Sequence, residues 1–286
     1  MADVDQREIP LEGRRTRVQA RLRRGIFLLP AMMTSAKLLC GYYAVVASLM
    51  GTPEDFNHAA KAIGIAIIFD SLDGRIARMT GTNTEFGVQF DSLADVVSFG
   101  IAPAVLAFAW GVRGVVNLPP EAFRQLGRFG WLCCLAFLIC CAWRLARFNV
   151  QGMAPGGSKY FIGMPTPASA GVIAAIVHAF HEAGPLHTFH EGPIRDWHWA
   201  VAWLTLAVAL GGLMTSTIRF YSFKDLPWGR KQPGVLILLF LFLGGVIWLY
   251  SEIVLLLIAS TYAFTAVTLH LIRFFRHRLV SRTAPS

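Results

Sequence analysis

Long apolar runs separated by short polar ones organise this chain. Eight runs approach the roughly 20 residues a helix needs to cross a bilayer: 27–50, 59–78, 88–111, 130–148, 167–184, 198–218, 234–250 and 252–273. In lipid every backbone N–H and C=O must be satisfied within the chain, so such runs become helices. The pattern predicts an all-α integral membrane protein, a bundle of about eight transmembrane helices. The second and third runs carry aspartates that weaken their hydropathy. No repeat of 20–50 residues and no low-complexity linker interrupts the pattern. It predicts one compact transmembrane domain over 26–274, a basic head over 1–25 and a tail over 275–286.

Composition supports this reading. Of 286 residues, 55% are hydrophobic and 15% charged, where a soluble domain carries about a quarter charged residues. Mean hydropathy is +0.52. The apolar content excludes a disordered chain, and five cysteines exclude a disulfide-rich scaffold.

The net charge of +9 has a membrane explanation, with no nucleic-acid partner expected. Arg7, Arg14, Arg15, Arg17, Arg21, Arg23 and Arg24 precede the first run. No small-residue cleavage site follows them, so the first run reads as a retained span. With the N-terminus inside, 20 basic residues fall on the cytoplasmic side. Five fall outside, namely Lys61, Arg113, Arg124, Arg128 and Arg195, while Lys37 lies within the first span. Basic residues collect on the cytoplasmic face, so both termini are expected there, beside anionic lipid head groups. Ile9, Leu11, Val18 and Leu22 among the arginines predict a surface-lying amphipathic helix for the head.

The most informative stretch runs from 69 to 100, FDSLDGRIARMTGTNTEFGVQFDSLADVVSFG. Asp70, Asp73, Asp91 and Asp95 fall in or beside spans, where each costs several kcal/mol if left charged in lipid. Spacings of three and four place each pair on one helix face. A short glycine-containing loop makes the second and third spans antiparallel neighbours, so the two pairs meet. Four close carboxylates repel one another unless a cation intervenes. Oxygen-only ligands suit Mg²⁺ or Mn²⁺ rather than zinc. Arg78 stands where a guanidinium can hold a phosphate, and Gly74 and Ala77 leave room beside it. Two other readings use the same acids, as ion-paired packing residues or as a cation or proton pathway of a transporter.

The pattern Asp70-x2-Asp73-Gly74-x2-Ala77-Arg78-x8-Gly87-x3-Asp91-x3-Asp95 resembles, in full and in register, the CDP-alcohol phosphotransferase signature. The resemblance implies a membrane enzyme in which a hydroxyl attacks a CDP-linked substrate and CMP leaves. It implies that Asp70, Asp73, Asp91 and Asp95 hold one or two Mg²⁺ or Mn²⁺ ions, with Asp95 also the general base. It implies that Asp73, Gly74, Ala77, Arg78 and Gly87 accommodate the CDP group. Further stretches, LLPAMMTSAKLLCGYYA (28–44), RLARFN (144–149), FIGMPTPASA (161–170) and MTSTIRFYSFKDL (214–226), resemble the bacterial branch that uses CDP-diacylglycerol and L-serine. That branch implies a bacterial inner membrane, a cytoplasmic site and a homodimer. Another acceptor, such as glycerol 3-phosphate, inositol phosphate or choline, remains the alternative.

Relatives often carry Asn where this chain has Ala31 and Lys37. Lys37 reads either as a cation for the substrate phosphates or as a side chain snorkelling to the interface. Serine brings a carboxylate, which a guanidinium recognises. Arg144, Arg147 and Lys224, with Asn149, Thr166 and Ser222, are therefore expected to form the serine or phosphate pocket. The bland reading of these cations is positive-inside anchoring.

Other residues read as structural. Cys40, Cys133, Cys134, Cys140 and Cys141 lack metal-site spacing and read as packing residues. His178, His181 and Glu182 read as loop or packing groups before a metal site. Trp197, Trp199, Trp203 and Trp248 read as an interfacial belt, and Gly211-Gly212 and Gly244-Gly245 as close helix contacts.

Overall fold

The computed structural model describes residues 11–80, 84–116, 118–152, 161–180, 194–217, 219–220, 251, 253–265 and 268. Side chains are described from Pro30 onward, except those of Ala77, Arg78, Thr80, Gln151, Gly152, Phe161, Ile162, Arg219 and Phe220. The seventh expected span, the whole tail and both Ser222 and Lys224 lie outside the described residues.

Helices dominate the described residues. They are α1 (Leu11–Met50), α2 (Pro53–Thr80), α3 (Glu85–Asp95), α4 (Ala102–Val112), α5 (Pro120–Gly152), α6 (Thr166–Ala179) and α7 (Trp197–Thr215). A shorter apolar helix, α8, covers Ile253–Thr265. Among the described residues, four stretches are long and apolar enough to cross a membrane: Pro30–Met50, Glu85–Val112, Pro120–Val150 and Trp197–Thr215. These match the first, third, fourth and sixth expected spans. The second expected span lies within α2, whose charged residues keep it from that group. The fifth and eighth coincide with the shorter helices α6 and α8. Exposed Leu39, Tyr42, Ile65, Ile68, Trp131 and Trp143 make an apolar exterior suited to lipid, as in an integral membrane protein.

The turn between α1 and α2 follows from its residues. Gly51 takes a φ of 83°, which glycine adopts without strain. The Thr52 amide donates to Asp55 at 3.2 Å, and the Asp55 amide donates back to the Thr52 hydroxyl at 3.2 Å. This is a reciprocal cap, with Pro53 suited to the first helical position. The two helices then close on small residues, burying Ala44, Ala47, Ala59, Ala60, Ile63 and Ala66. Small side chains let helix backbones approach closely, where dispersion and packing replace the missing hydrophobic drive.

The third span is not one regular helix. α3 gives way at Val96–Ile101 to a π-helical segment before α4 resumes. The Ala102 amide reaches back five residues to the Val97 carbonyl. Pro103 follows; it has no N–H and its ring crowds the preceding turn, a known cause of such irregularity. The Ser98 hydroxyl donates to the Lys37 carbonyl of α1 at 3.0 Å. Gly41 permits this approach, because a Cβ there would stand 2.7 Å from the Ser98 Cα.

The remaining helices close around this pair. α5 and α7 pack together, Gly211 lying against Phe137 and Cys140, while Gly212 faces open space. Gly211 thus serves the bundle. Trp203 departs from the expected belt: it is buried, its indole donates to the Ala107 carbonyl at 2.9 Å, and it stacks edge-on against Trp110. Trp197 and Trp199 are exposed, and Trp248 lies outside the described residues. His178 joins α2 and α6, its Nδ1 2.7 Å from the Asn57 side chain and its Nε2 2.9 Å from the Ser251 hydroxyl. His181 and Glu182 lie outside the described residues. All five cysteines are free thiols on packed helices.

A two-residue antiparallel bridge pairs Phe161 with Phe220 and Ile162 with Arg219. It joins the segment before α6 to the segment after α7. Gly163, at φ 81°, continues the contact, and Met164 donates to the Leu213 carbonyl at 3.0 Å.

Candidate active site

The four aspartates converge, and a lysine stands among them. α2 contributes Asp70 and Asp73, α3 contributes Asp91 and Asp95, and α1 contributes Lys37. The Lys37 ammonium donates to Asp70 at 2.9 Å, to Asp91 at 2.5 Å and to Asp95 at 2.5 Å. It lies 3.8 Å from Asp73. Thr34, one turn before Lys37, turns its hydroxyl toward Asp73 at 3.4 Å. Three contacts match the three protons of an ammonium group. Lys37 therefore does not snorkel; its side chain is wholly buried.

The cluster is graded in depth. The side chain of Asp91 is 40% exposed and that of Asp70 24%, against 13% for Asp95 and 6% for Asp73. A ligand therefore approaches from the Asp91–Asp70 side, with Lys37 and Asp73 as the floor. Carboxylate oxygens of Asp70, Asp91 and Asp95 lie within 4.8 Å of one another. That is close to the roughly 4 Å across an octahedral Mg²⁺ shell with 2.0–2.1 Å bonds. The donor set fits a hard divalent cation, and an ammonium stands inside it.

The residues expected around the CDP group are described in part. Gly74 is half-buried next to Asp73. The Gly87 amide donates to the Thr84 hydroxyl at 3.0 Å, capping α3. A Cβ on Gly87 would stand 3.0 Å from that oxygen. α3 therefore starts tightly, with Gly87 one helical turn before Asp91. The side chains of Ala77 and Arg78 lie outside the described residues.

The expected serine pocket divides. Asn149, on α5, donates to the Ser92 hydroxyl at 2.8 Å. This bond sets the end of α5 beside Asp91 and Asp95. Arg147, two residues earlier, is half-buried and makes no hydrogen bond or ion pair among the described residues. Arg144 is buried and donates to the Met214 carbonyl at 3.2 Å. A Cβ at Gly163 would meet the Met214 carbonyl and approach the Arg144 guanidinium at 2.8 Å. Arg144 thus ties α5 to the end of α7 and the Gly163 loop. Thr166 is buried at the start of α6.

Sequence reasoning missed Thr34 and Ser98. Thr34 was discoverable as the residue one turn before Lys37 on the same face. Ser98 carried no local signal, since its partner is a backbone carbonyl 61 positions away.

Residues 27–211 match the family model described as CDP-alcohol phosphatidyltransferase. A CDP-diacylglycerol--serine O-phosphatidyltransferase of Helicobacter pylori (strain ATCC 700392 / 26695) is 33% identical over 216 residues. The similarity covers 76% of this chain and 81% of that protein. The protein of that name from Saccharomyces cerevisiae is 32% identical over 55% of this chain and 58% of its own. The one from Methanocaldococcus jannaschii is 42% identical over 45% of this chain and 55% of its own.

Proposed function

Because the chain belongs to the CDP-alcohol phosphatidyltransferase family, a family of transferases, we propose that it moves the phosphatidyl group of CDP-diacylglycerol to L-serine, releasing CMP. The observation that carries this reading is the meeting of Asp70, Asp73, Asp91 and Asp95 at one solvent-open site between apolar helices. The activity for which these relatives are named supports the choice of donor and acceptor.

The proposed reaction follows from the residues. The serine hydroxyl oxygen attacks the phosphorus that bears diacylglycerol, and the bond from that phosphorus to the CMP oxygen breaks. The hydroxyl proton passes to the Asp95 carboxylate, a general base within the cluster. The reaction is chiefly positioning and charge stabilisation. Asp70, Asp73 and Asp91 would hold Mg²⁺ or Mn²⁺, one or two ions, with Asp95 at their edge. When bound, the metal neutralises charge on the pyrophosphate and on departing CMP. Gly74 and Ala77 give clearance to the CDP group and Arg78 its cation, with the Gly87 turn setting α3 beside it. Arg147 is the cation best placed for the serine carboxylate, with Asn149 holding α5 to α3. Arg144 and Thr166 shape the wall behind it, and Ser222 and Lys224 are assigned to serine or phosphate by resemblance alone.

The acyl chains of the donor stay in the bilayer while its phosphates sit at head-group depth, which suits a site at helix ends. Leu49 lies twelve residues beyond Lys37, about 18 Å along α1. There its carbonyl accepts from Arg113 at 2.9 Å, and the Arg195 carbonyl accepts from the Val116 amide. Both arginines belong to the side with few basic residues. This supports a cytoplasmic site; cytoplasmic termini, about eight spans and a bacterial inner membrane complete the reading from sequence pattern and resemblance. The homodimer completes the proposal by resemblance alone.

The test is CMP release by purified protein in detergent with CDP-diacylglycerol, Mg²⁺ or Mn²⁺ and single acceptors. Release that needs L-serine supports the reading. Release with glycerol 3-phosphate, inositol phosphate or choline instead would reassign the acceptor and the arginine pocket.

A further inference from the structure

The aspartate cluster already holds a cation of its own, and its geometry leaves no room for another at the same point. Lys37 Nζ lies 2.5–2.9 Å from Asp70, Asp91 and Asp95, the three residues whose oxygens close to within 4.8 Å. A divalent ion at that centre would stand within bonding distance of an ammonium. Two like charges so close repel strongly at any interior dielectric.

Nor is Lys37 free to withdraw. Its side chain is wholly buried, with the Phe99 ring 5.8 Å from the ammonium. Its carbonyl is bonded to Ser98 at 3.0 Å, and Gly41, one turn on, is pressed against Ser98. The lysine is therefore anchored at both ends, by its backbone to the π-helical segment and by its ammonium to the acids. The ammonium contacts come from α2 through Asp70 and from α3 through Asp91 and Asp95, so withdrawing it would leave carboxylates of two helices unbalanced.

We propose that the Lys37 ammonium permanently fills one cation position of this site, so that the chain binds a single divalent ion. This rests on the metal-site reading above. The ion takes the outer edge, where Asp91 and Asp70 are most exposed. The lysine neutralises the inner carboxylates without exchange, and only the outer ion comes and goes with substrate.

The experiment counts bound Mn²⁺ without turnover. Full-length protein in detergent is titrated with MnCl₂, and free Mn²⁺ is read by electron paramagnetic resonance. Wild type is expected to bind one ion per chain. Lys37→Met, which keeps the length and removes the charge, is expected to bind two. Lys37→Asn serves as a second neutral variant, and Lys37→Arg, which keeps the charge, is expected to bind one. Two ions in wild type would overturn the proposal even if neither neutral variant folds. So would equal non-zero counts in wild type and the neutral variants. No Mn²⁺ in any of them would sink the metal-site reading itself, and this proposal with it.

Discussion

The Lys37 ammonium lies 2.5 Å from the Asp95 carboxylate, across 58 positions of sequence. This pair joins the first and third spans at the level of the other three aspartates. It also makes Asp95 the least free of the three acids that Lys37 touches most closely, since its side chain is only 13% exposed. The general base proposed at Asp95 would thus be held in place before substrate arrives.

Asp95→Asn keeps the shape of the side chain and removes its ability to accept a proton. Turnover should fall about 10²- to 10⁴-fold, the usual contribution of a general base. Binding of CDP-diacylglycerol should change little. Parallel CMP-release and lipid-binding measurements check this, and undiminished turnover would remove Asp95 as base.

Asp91→Ala removes the most exposed oxygen donor of the cluster. Metal dependence and activity should be lost together, with Mn²⁺ affinity falling at least about tenfold on loss of a charged ligand. Wild-type Mn²⁺ affinity in this variant would contradict its role as a ligand.

Arg147→Ala should raise the KM for serine about 10- to 100-fold, the worth of a hydrogen bond to a charged group. The KM for CDP-diacylglycerol should move much less. The reverse pattern would assign Arg147 to the nucleotide end of the site.

Gly163→Ala puts a Cβ on a residue at φ 81°, against the Met214 carbonyl and the Arg144 guanidinium. The backbone conformation alone costs about 1–2 kcal/mol for a residue with a side chain, and the contact adds to it. The variant should lose its fold at lower temperature in detergent. Gly212→Ala, facing open space, should melt close to wild type, and equal melting of the two would refute the argument.

Gly41→Ala tests the seam between α1 and the π-helical segment. Its Cβ would lie 2.7 Å from the Ser98 Cα, so backbone rather than a flexible side-chain end must move. Displacing α1 moves Lys37 relative to the acids. Activity should fall more steeply than thermal stability. Full activity at wild-type stability would show that the seam tolerates the shift.

Much of this molecule is readable in one dimension. Four of the expected spans return as long apolar helices, because twenty apolar residues in lipid have no alternative to helix. The aspartates meet because spacings of three and four set them on one face of two consecutive helices. A short loop joins those helices. The cap at Thr52 and Asp55 and the turn at Gly51 are equally local. The span count was less legible, because a helix carrying functional charge, such as α2, no longer scores as apolar.

Lys37, Trp203 and Arg144 show where reading residues in order stops. Alone on its span, Lys37 is a lysine that either binds phosphate or reaches for the interface. Trp203 looks like a belt residue, and Arg144 like an anchor. Each is decided by a partner far along the chain: three carboxylates, the Ala107 carbonyl and the Met214 carbonyl. Local sequence determines which helices form and which faces are apolar, because those depend on neighbours three and four residues away. Only the crossing of α1 over α2 and α3 decides that the charge balancing the acids is a lysine, since burial and Coulomb energy depend on distances that sequence order does not contain.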